Sequence, residues 1–231
     1  MLLEFWDAIK LLSNLDSGLA EIVLLTIYVS GSAVLLAALL GIPAGTWLGM
    51  QKQGKVKGLT RLVYTLMGLP PVVGGLIIYL LIRRQGLLGT FGFLYTPTAM
   101  IMAQFLLATP IVIGMTSVAV RSKGKNIHET LVSLGARKGL ILRSIIWEAR
   151  YGILGAVIAG FGRVVAEVGA VMMVGGNIEG KTRVMTTTIV LETRKGNFDF
   201  ALALGLILLI VSFIFNVILY QIQQGGASDD E

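Results

Sequence analysis

Of 231 residues, 55% are hydrophobic and 14% charged, with a mean hydropathy of +0.82; soluble domains carry roughly 25% charged residues, so the chain reads as an integral membrane protein. With no cysteine and one histidine, disulfides, thiolate nucleophiles and iron–sulfur clusters are excluded and multi-histidine metal sites nearly so, and no metal site or bound cofactor is expected. The net charge of +6 reports topology here through its distribution along the chain, and no nucleic-acid partner is expected.

The opening MLLEFWDAIKLLSNLD lacks the basic start of a cleavable signal, because Glu4 and Asp7 precede any lysine. It is expected to stay as a short amphipathic segment. Ile22 to Leu48 and Leu62 to Ile82 contain no charge, and each exceeds the ~20 residues that cross hydrocarbon. The second of these carries Gly68, Pro70, Pro71, Gly74 and Gly75 in MGLPPVVGG, which break or thin it in its first half. Such backbone at membrane depth is tolerated only when buried in protein or lining an aqueous cavity, so the cluster is placed on a transport path. A third span covers about Met100 to Val120, with Pro97 near its start and Pro110 able to kink it.

Tyr151 to Val174 is read as a fourth span that contains Arg163 and Glu167, and Phe200 to Gln221 as a fifth. The two charges fall four apart on one helix face, so they are expected as a mutually neutralising pair at a subunit contact, or as pore lining. Left facing lipid, each would cost ~2.5 to 3.5 kcal/mol at the bilayer centre. Residues 184 to 191, VMTTTIVL, are too short to cross. Thr186, Thr187 and Thr188 either form an outer mouth or cap a short re-entrant helix.

Basic residues near spans are retained on the cytoplasmic side. Lys52, Lys55, Lys57 and Arg61 lie in the first link, and seven basic residues lie between Arg121 and Arg150. Both links are therefore assigned to the cytoplasm, the N-terminus to the outside, the C-terminus to the inside, and residues 175–199 to an external loop.

The cytoplasmic link at 121–150 is long for so compact a membrane protein. Asn126 reads as an N-cap with Glu129 three residues on, and Gly135 as a C-terminal stop. Ile127, Leu131 and Leu134 then form one apolar stripe, which either folds back onto the protein or membrane or plugs a partner's groove.

These residues resemble the permease subunits of ABC importers, whose cytoplasmic loop carries Glu-Ala-Ala, three residues, Gly, nine residues and Ile-x-Leu-Pro. Glu129, Gly135 and Ile145 keep the offsets, while Thr130 and Leu131 replace the alanines and Trp147-Glu148 replaces Leu-Pro. Without that proline the loop's second helix is expected to run on into span four. The resemblance implies an all-α, type I importer permease of five or possibly six transmembrane helices. In it Glu129, Leu134, Gly135 and Ala136 form a coupling helix for a cytoplasmic ATPase dimer. It also implies a homodimer in a bacterial or archaeal plasma membrane, served by an external binding protein.

Within that family, GRVVAEVGAVMMVGGNIEGKTRVMTTTIVLET is similar to permeases for tetrahedral oxyanions. Arg163, Glu167 and Gly169 match an Arg-x-x-x-Glu-x-Gly pattern, and Asn177, Ile178, Gly180, Thr182 and Arg183 match an Asn-Ile-x-Gly-x-Thr-Arg loop. Tungstate permeases are most similar, with molybdate and sulfate permeases as alternatives. Asn177, Lys181, Thr182 and Arg183 are then expected to meet the binding protein or its anion.

GGNIEGKT, residues 175–182, also matches the phosphate-binding pattern G-x-x-x-x-G-K-[ST]. That geometry needs a strand before it and a helix after it in an α/β domain, and here it ends a membrane span. ATP and magnesium therefore belong to the partner, and this chain is expected to have no catalytic residue. A stand-alone secondary transporter would call for inverted repeats and coupling acids at mid-depth, which the sequence does not offer beyond Glu167. An intramembrane serine protease is excluded because the only histidine, His128, lies in the cytoplasmic link.

Overall fold

A computed structural model describes residues 17–224 and is helical, with nine α-helices and one 3₁₀ turn among those residues. The N-terminal amphipathic segment lies outside them. The first helix, α1 (Ser17–Met50), and the fourth, α4 (Pro97–Ser133), have 34 and 37 residues. At 1.5 Å per residue they measure about 51 and 55 Å, more than the ~30 Å hydrocarbon layer.

α1 and α4 pack parallel to each other through glycines spaced four apart on α1. A Cβ on Gly41 would fall 2.9 Å from Val112, one on Gly45 2.6 Å from the Ile113 carbonyl, and one on Gly49 2.8 Å from the Ser117 carbonyl. The backbones touch because nothing larger than hydrogen stands between them, the close approach that small residues permit in membranes. Val29, Val34, Leu107, Val112, Phe161 and Val164 build the core around this pair.

Span two is two helices, α2 (Gln53–Met67) and α3 (Pro71–Ile82), bent by 100°. Gly68 and Leu69 unwind the chain, Pro70 is extended, and Pro71 opens α3 where its missing N–H costs nothing. The interruption that MGLPPVVGG announces is therefore complete. After the 3₁₀ turn Gly89–Phe91, the Thr96 hydroxyl accepts from Ala99 N–H and Pro97 starts α4. Pro110 is buried inside α4, which passes through it as one helix.

Beyond α4 come α5 (Lys138–Glu148) and α6 (Arg150–Val165), bent by 58° at Ala149. The expectation that this helix would run on unbroken is wrong. Arg150 lies at this bend. Its Nη1 donates to the Trp147 carbonyl at 2.7 Å, its Nη2 to Tyr151 Oη at 2.9 Å, and its guanidinium lies over both rings at 4.5 and 4.3 Å. The short α7 (Gly169–Gly175), α8 (Met185–Lys195) and long α9 (Phe198–Gln224) complete the chain. Three helices are long and apolar enough to cross a membrane, and five spans result if each bent pair counts as one.

Candidate functional site

The residues singled out from the sequence fall into three groups along the membrane normal. At mid-depth, two interrupted spans meet. α6 stops at Val165 and α7 begins at Gly169, leaving Ala166, Glu167 and Val168 between them. The Val164 carbonyl, freed by the end of α6, accepts from Gln104 Nε2 at 3.0 Å and from Glu167 N–H at 3.2 Å. Glu167 is only 6% exposed. Its Oε1 accepts from Ala170 N–H at 3.0 Å, capping α7, and its carbonyl accepts from the Thr186 hydroxyl at 2.9 Å.

Arg163 and Glu167 are therefore not an i, i+4 pair on one helix face. The helix ends between them, Glu167 is committed to α7, and Arg163, half-buried, pairs with no carboxylate among the described residues. Local sequence hid this because Gln104 and Thr186, which stabilise the break, lie far away in the chain.

The interruption in span two lies against this one. A Cβ on Gly169 would fall 2.9 Å from Val72 and 3.5 Å from Glu167 Oε1, and one on Gly75 would fall 2.6 Å from the Ala170 Cα. Gly74 abuts Leu107, which sits near the middle of the candidate span Pro97–Gly124. Gly74, Gly75 and Pro110 are thus packed, whereas Gly68 and Pro70 are exposed beside an apolar face of Val72, Val73, Leu76 and Ile77.

On the cytoplasmic side as read from the charge pattern, α4 runs without a break through Asn126 to Ser133. Asn126 is therefore not an N-cap: the separate docking helix read from the sequence is the last turns of a 37-residue helix. The stop is where the sequence puts it. Gly135 has φ of 72°, Gly135 N–H donates to the Val132 carbonyl and Ala136 N–H to that of Leu131, a left-handed glycine termination. The apolar stripe divides: Ile127, Leu131 and Ala136 pack on Val120, Ile141 and Ile145, while Leu134 is 76% exposed and Glu129 is exposed.

At the opposite end, GGNIEGKT is a helix-to-helix turn with left-handed Gly176, Asn177 and Gly180. The described residues contain no strand to precede it. The Thr182 hydroxyl, fully buried, donates to the Gly175 carbonyl at 2.6 Å and accepts from Ile178 N–H at 2.9 Å, which leaves it unable to meet a metal. Thr187 Oγ1 lies 2.9 Å from Asn177 Oδ1 and accepts from Val184 N–H, and the Thr188 hydroxyl donates to the Val184 carbonyl. Thr186, Thr187 and Thr188 are all buried; Thr187 caps the start of α8, Thr188 bonds back within its first turn, and Thr186 reaches the Glu167 carbonyl.

Lys181 and Arg183 instead face a cleft of about 350 Å³ beside Glu21, Glu179, Glu192 and Lys195. Arg183 meets Glu179 at 3.2 Å. Lys195 Nζ, 2.7 Å from Glu192 Oε1, holds that carboxyl below its usual range against the opposing effect of burial, helped by Asn197 Nδ2 at 3.0 Å and by Arg183.

Residues 41–225 match the family described as binding-protein-dependent transport system inner membrane component. The tungstate uptake system permease protein TupB of Peptoclostridium acidaminophilum is 39% identical over 220 residues, 95% of this chain and 96% of the relative. A probable anion ABC transporter permease protein of Haloferax volcanii is 40% identical over 83% of this chain and 84% of its own. The molybdenum transport system permease protein ModB of Mycobacterium tuberculosis is more distant, 27% identical over 90% of this chain and 80% of its own. The crystal structure of an amino acid ABC transporter shares the fold, with a TM-score of 0.63 at 16% identity over 95% of this chain and 97% of that one.

Proposed function

The chain belongs to the inner membrane components of binding-protein-dependent transport systems, and from that premise we propose that two copies form the pore of a tetrahedral-oxyanion importer, with tungstate as the cargo. Molybdate and sulfate are the neighbouring alternatives. The carrying observation is that the break in span two and the break between α6 and α7 pack against each other, beside Leu107 near the middle of the span Pro97–Gly124. Unwound backbone at that depth must be enclosed by protein or line water, and the exposed Gly68, Pro70 and adjoining face of α3 would be enclosed by a second copy.

The path needs weak, releasable contacts for a dianion. Arg163, half-buried and in no ion pair among the described residues, supplies attraction without a built cage, while Glu167 is withdrawn into the α7 cap and does not repel the cargo. Pro70, Pro71, Gly74 and Gly75 shape the interruption, and Met67 rests on Gly114, one turn beyond the buried Pro110. The tungstate assignment is supported by the high similarity to the tungstate permease over nearly the whole chain.

With the phosphate-loop pattern folded as a helix-to-helix turn, ATP and magnesium are assigned to a cytoplasmic ATPase dimer. Leu134, bare at the tip of α4 beside Glu129 and the Gly135–Ala136 turn, is the contact it would grip. The charged cleft with Lys181 and Arg183 faces the external binding protein, and Asn177 and Thr182 hold that loop in shape. The two Lys/Arg-rich links put the N-terminus outside and the C-terminus inside.

Copurification with the ATPase tests this reading. Glu129→Ala and Gly135→Ala should abolish uptake and ATPase retention while membrane insertion stays normal. Undiminished uptake by both variants would remove the coupling role.

A further inference from the structure

At the end of the glycine-locked pair, where α1 finishes and α4 leaves the membrane, lies a cavity of about 470 Å³ that the transport reading does not use. Val120, Gly124 and His128 line it at four-residue spacing on one face of α4, with Arg121 beside them and Lys52 reaching in from the start of α2. Val120 is 23 residues beyond Pro97, about 35 Å along the helix, so the cavity opens in the headgroup layer just past the ~30 Å hydrocarbon.

Its walls are of two kinds. Met50, Val120 and Ile145 are apolar; Lys52, Arg121 and His128 are basic or N–H donors. Arg121 Nη2 donates at 3.2 Å to the Leu48 carbonyl, which also accepts from Gln51 N–H at the end of α1, and Nε is enclosed without an acceptor. Glu129 also lines the cavity, yet no salt bridge joins it to Lys52, Arg121 or His128, and none of the three pairs with any other described carboxylate. Two cations, Lys52 and Arg121, and the His128 ring line one concave site, a donor set suited to a tetrahedral oxyanion.

We infer that this cavity binds a phosphate-type oxyanion, and that the apolar half of its wall suits the headgroup of an anionic phospholipid, whose phosphodiester would sit on Arg121 and Lys52. Basic pockets between membrane helices on the cytoplasmic side take such headgroups. A bound headgroup would bridge the end of α1 to the extension of α4 one residue before Glu129, stiffening the segment that carries Leu134. A free oxyanion presents the same chemistry, and the test separates the two sources.

The full chain, purified in non-ionic detergent and depleted of lipid, is titrated with phosphatidylglycerol or phosphatidylcholine and the retained lipid counted by native mass spectrometry. Molybdate binding is measured in parallel by equilibrium dialysis. Binding in detergent is indifferent to membrane orientation, so failure here is separate from failure of the transport reading. Phosphatidylglycerol should be retained over phosphatidylcholine, with roughly a five-fold loss for each of Lys52→Gln and Arg121→Gln and near-normal binding by Arg121→Lys. Molybdate binding with the same variant dependence and no lipid preference supports the site with a soluble anion as occupant. Phosphatidylglycerol binding unchanged in the double variant, or no oxyanion bound at all, overturns the inference. Because Arg121 also holds the end of α1, Lys52→Gln on an exposed side chain keeps the test decisive if the arginine variants misfold.

Discussion

The pair α1 and α4 and the pair formed by the two broken spans solve the same problem in opposite ways. In the first, each backbone is hydrogen-bonded within its own helix, and Gly41, Gly45 and Gly49 let the two rods touch along their length. In the second, backbone groups at mid-depth are freed and then satisfied from elsewhere: Val164 by Gln104, Ala170 by the Glu167 carboxylate, and Glu167 by Thr186. The first is a frame that side-chain volume can only damage. The second is a hinge region held by a few hydrogen bonds, and the proposed path runs there.

Filling the frame should produce the largest effect. Gly45→Val puts a side chain against the Ile113 carbonyl and Thr116, neither of which can yield by a rotamer change, and should cost about 3 kcal/mol or more. Thermal melting in detergent should show a large fall in Tm. Gly205→Ala, with open space around it, should leave Tm unchanged or slightly raised.

In the hinge, Glu167→Ala removes the cap of α7 and should cost about 1 to 2 kcal/mol, with uptake falling more than stability does. Glu167→Gln keeps an acceptor oxygen and should recover the fold. If both variants melt and transport like the wild type, the broken span is not held as described.

The cytoplasmic stripe gives a finer contrast within one helix. Leu131→Ala, on the packed side, should cost about 1 to 2 kcal/mol of stability. Leu134→Ala, on the bare side, should change stability by less than about 0.5 kcal/mol yet reduce ATP-driven uptake. Equal effects of the two on Tm would contradict the division.

The smallest expected effect is at Glu192. Its carboxyl is held below the ordinary range first by Lys195, so the unfolded chain binds its proton at a higher pH than the folded one. Its contribution is complete above the ordinary carboxylate range and is lost as pH falls through the lowered value. With Lys195 half-exposed, the contribution is at most about 1 kcal/mol. Glu192→Gln should flatten that part of the acid stability profile.

The two long helices of the frame were legible in the sequence but their glycine contact was not, and the hinge was legible only in part. Charge-free runs and the Lys/Arg-rich links gave spans one, three and five, and Gly135 marked its turn because only glycine readily takes a left-handed backbone there. Pro70 and Pro71 announced one interruption through the chemistry of proline itself. The second, at Ala166–Val168, carries no such residue, and the four-residue spacing of Arg163 and Glu167 suggested continuous helix. The hydrogen bonds from Gln104 and Thr186 that favour the break are tertiary. Asn126 misled for the reverse reason: a capping residue can sit inside a helix that packing on Ile141 and Ile145 extends through it. The bend at Ala149 coincides with Arg150 stacking across two rings, a geometry that spacing alone does not convey.

The central claim, an oxyanion pore driven by a partner, is tested most directly by tungstate uptake into proteoliposomes holding the full chain. Uptake is predicted only when the ATPase, ATP and the external binding protein are all present, and it should fall to background when any one is withheld. Sustained tungstate uptake by the chain alone, without ATPase or ATP, would contradict it.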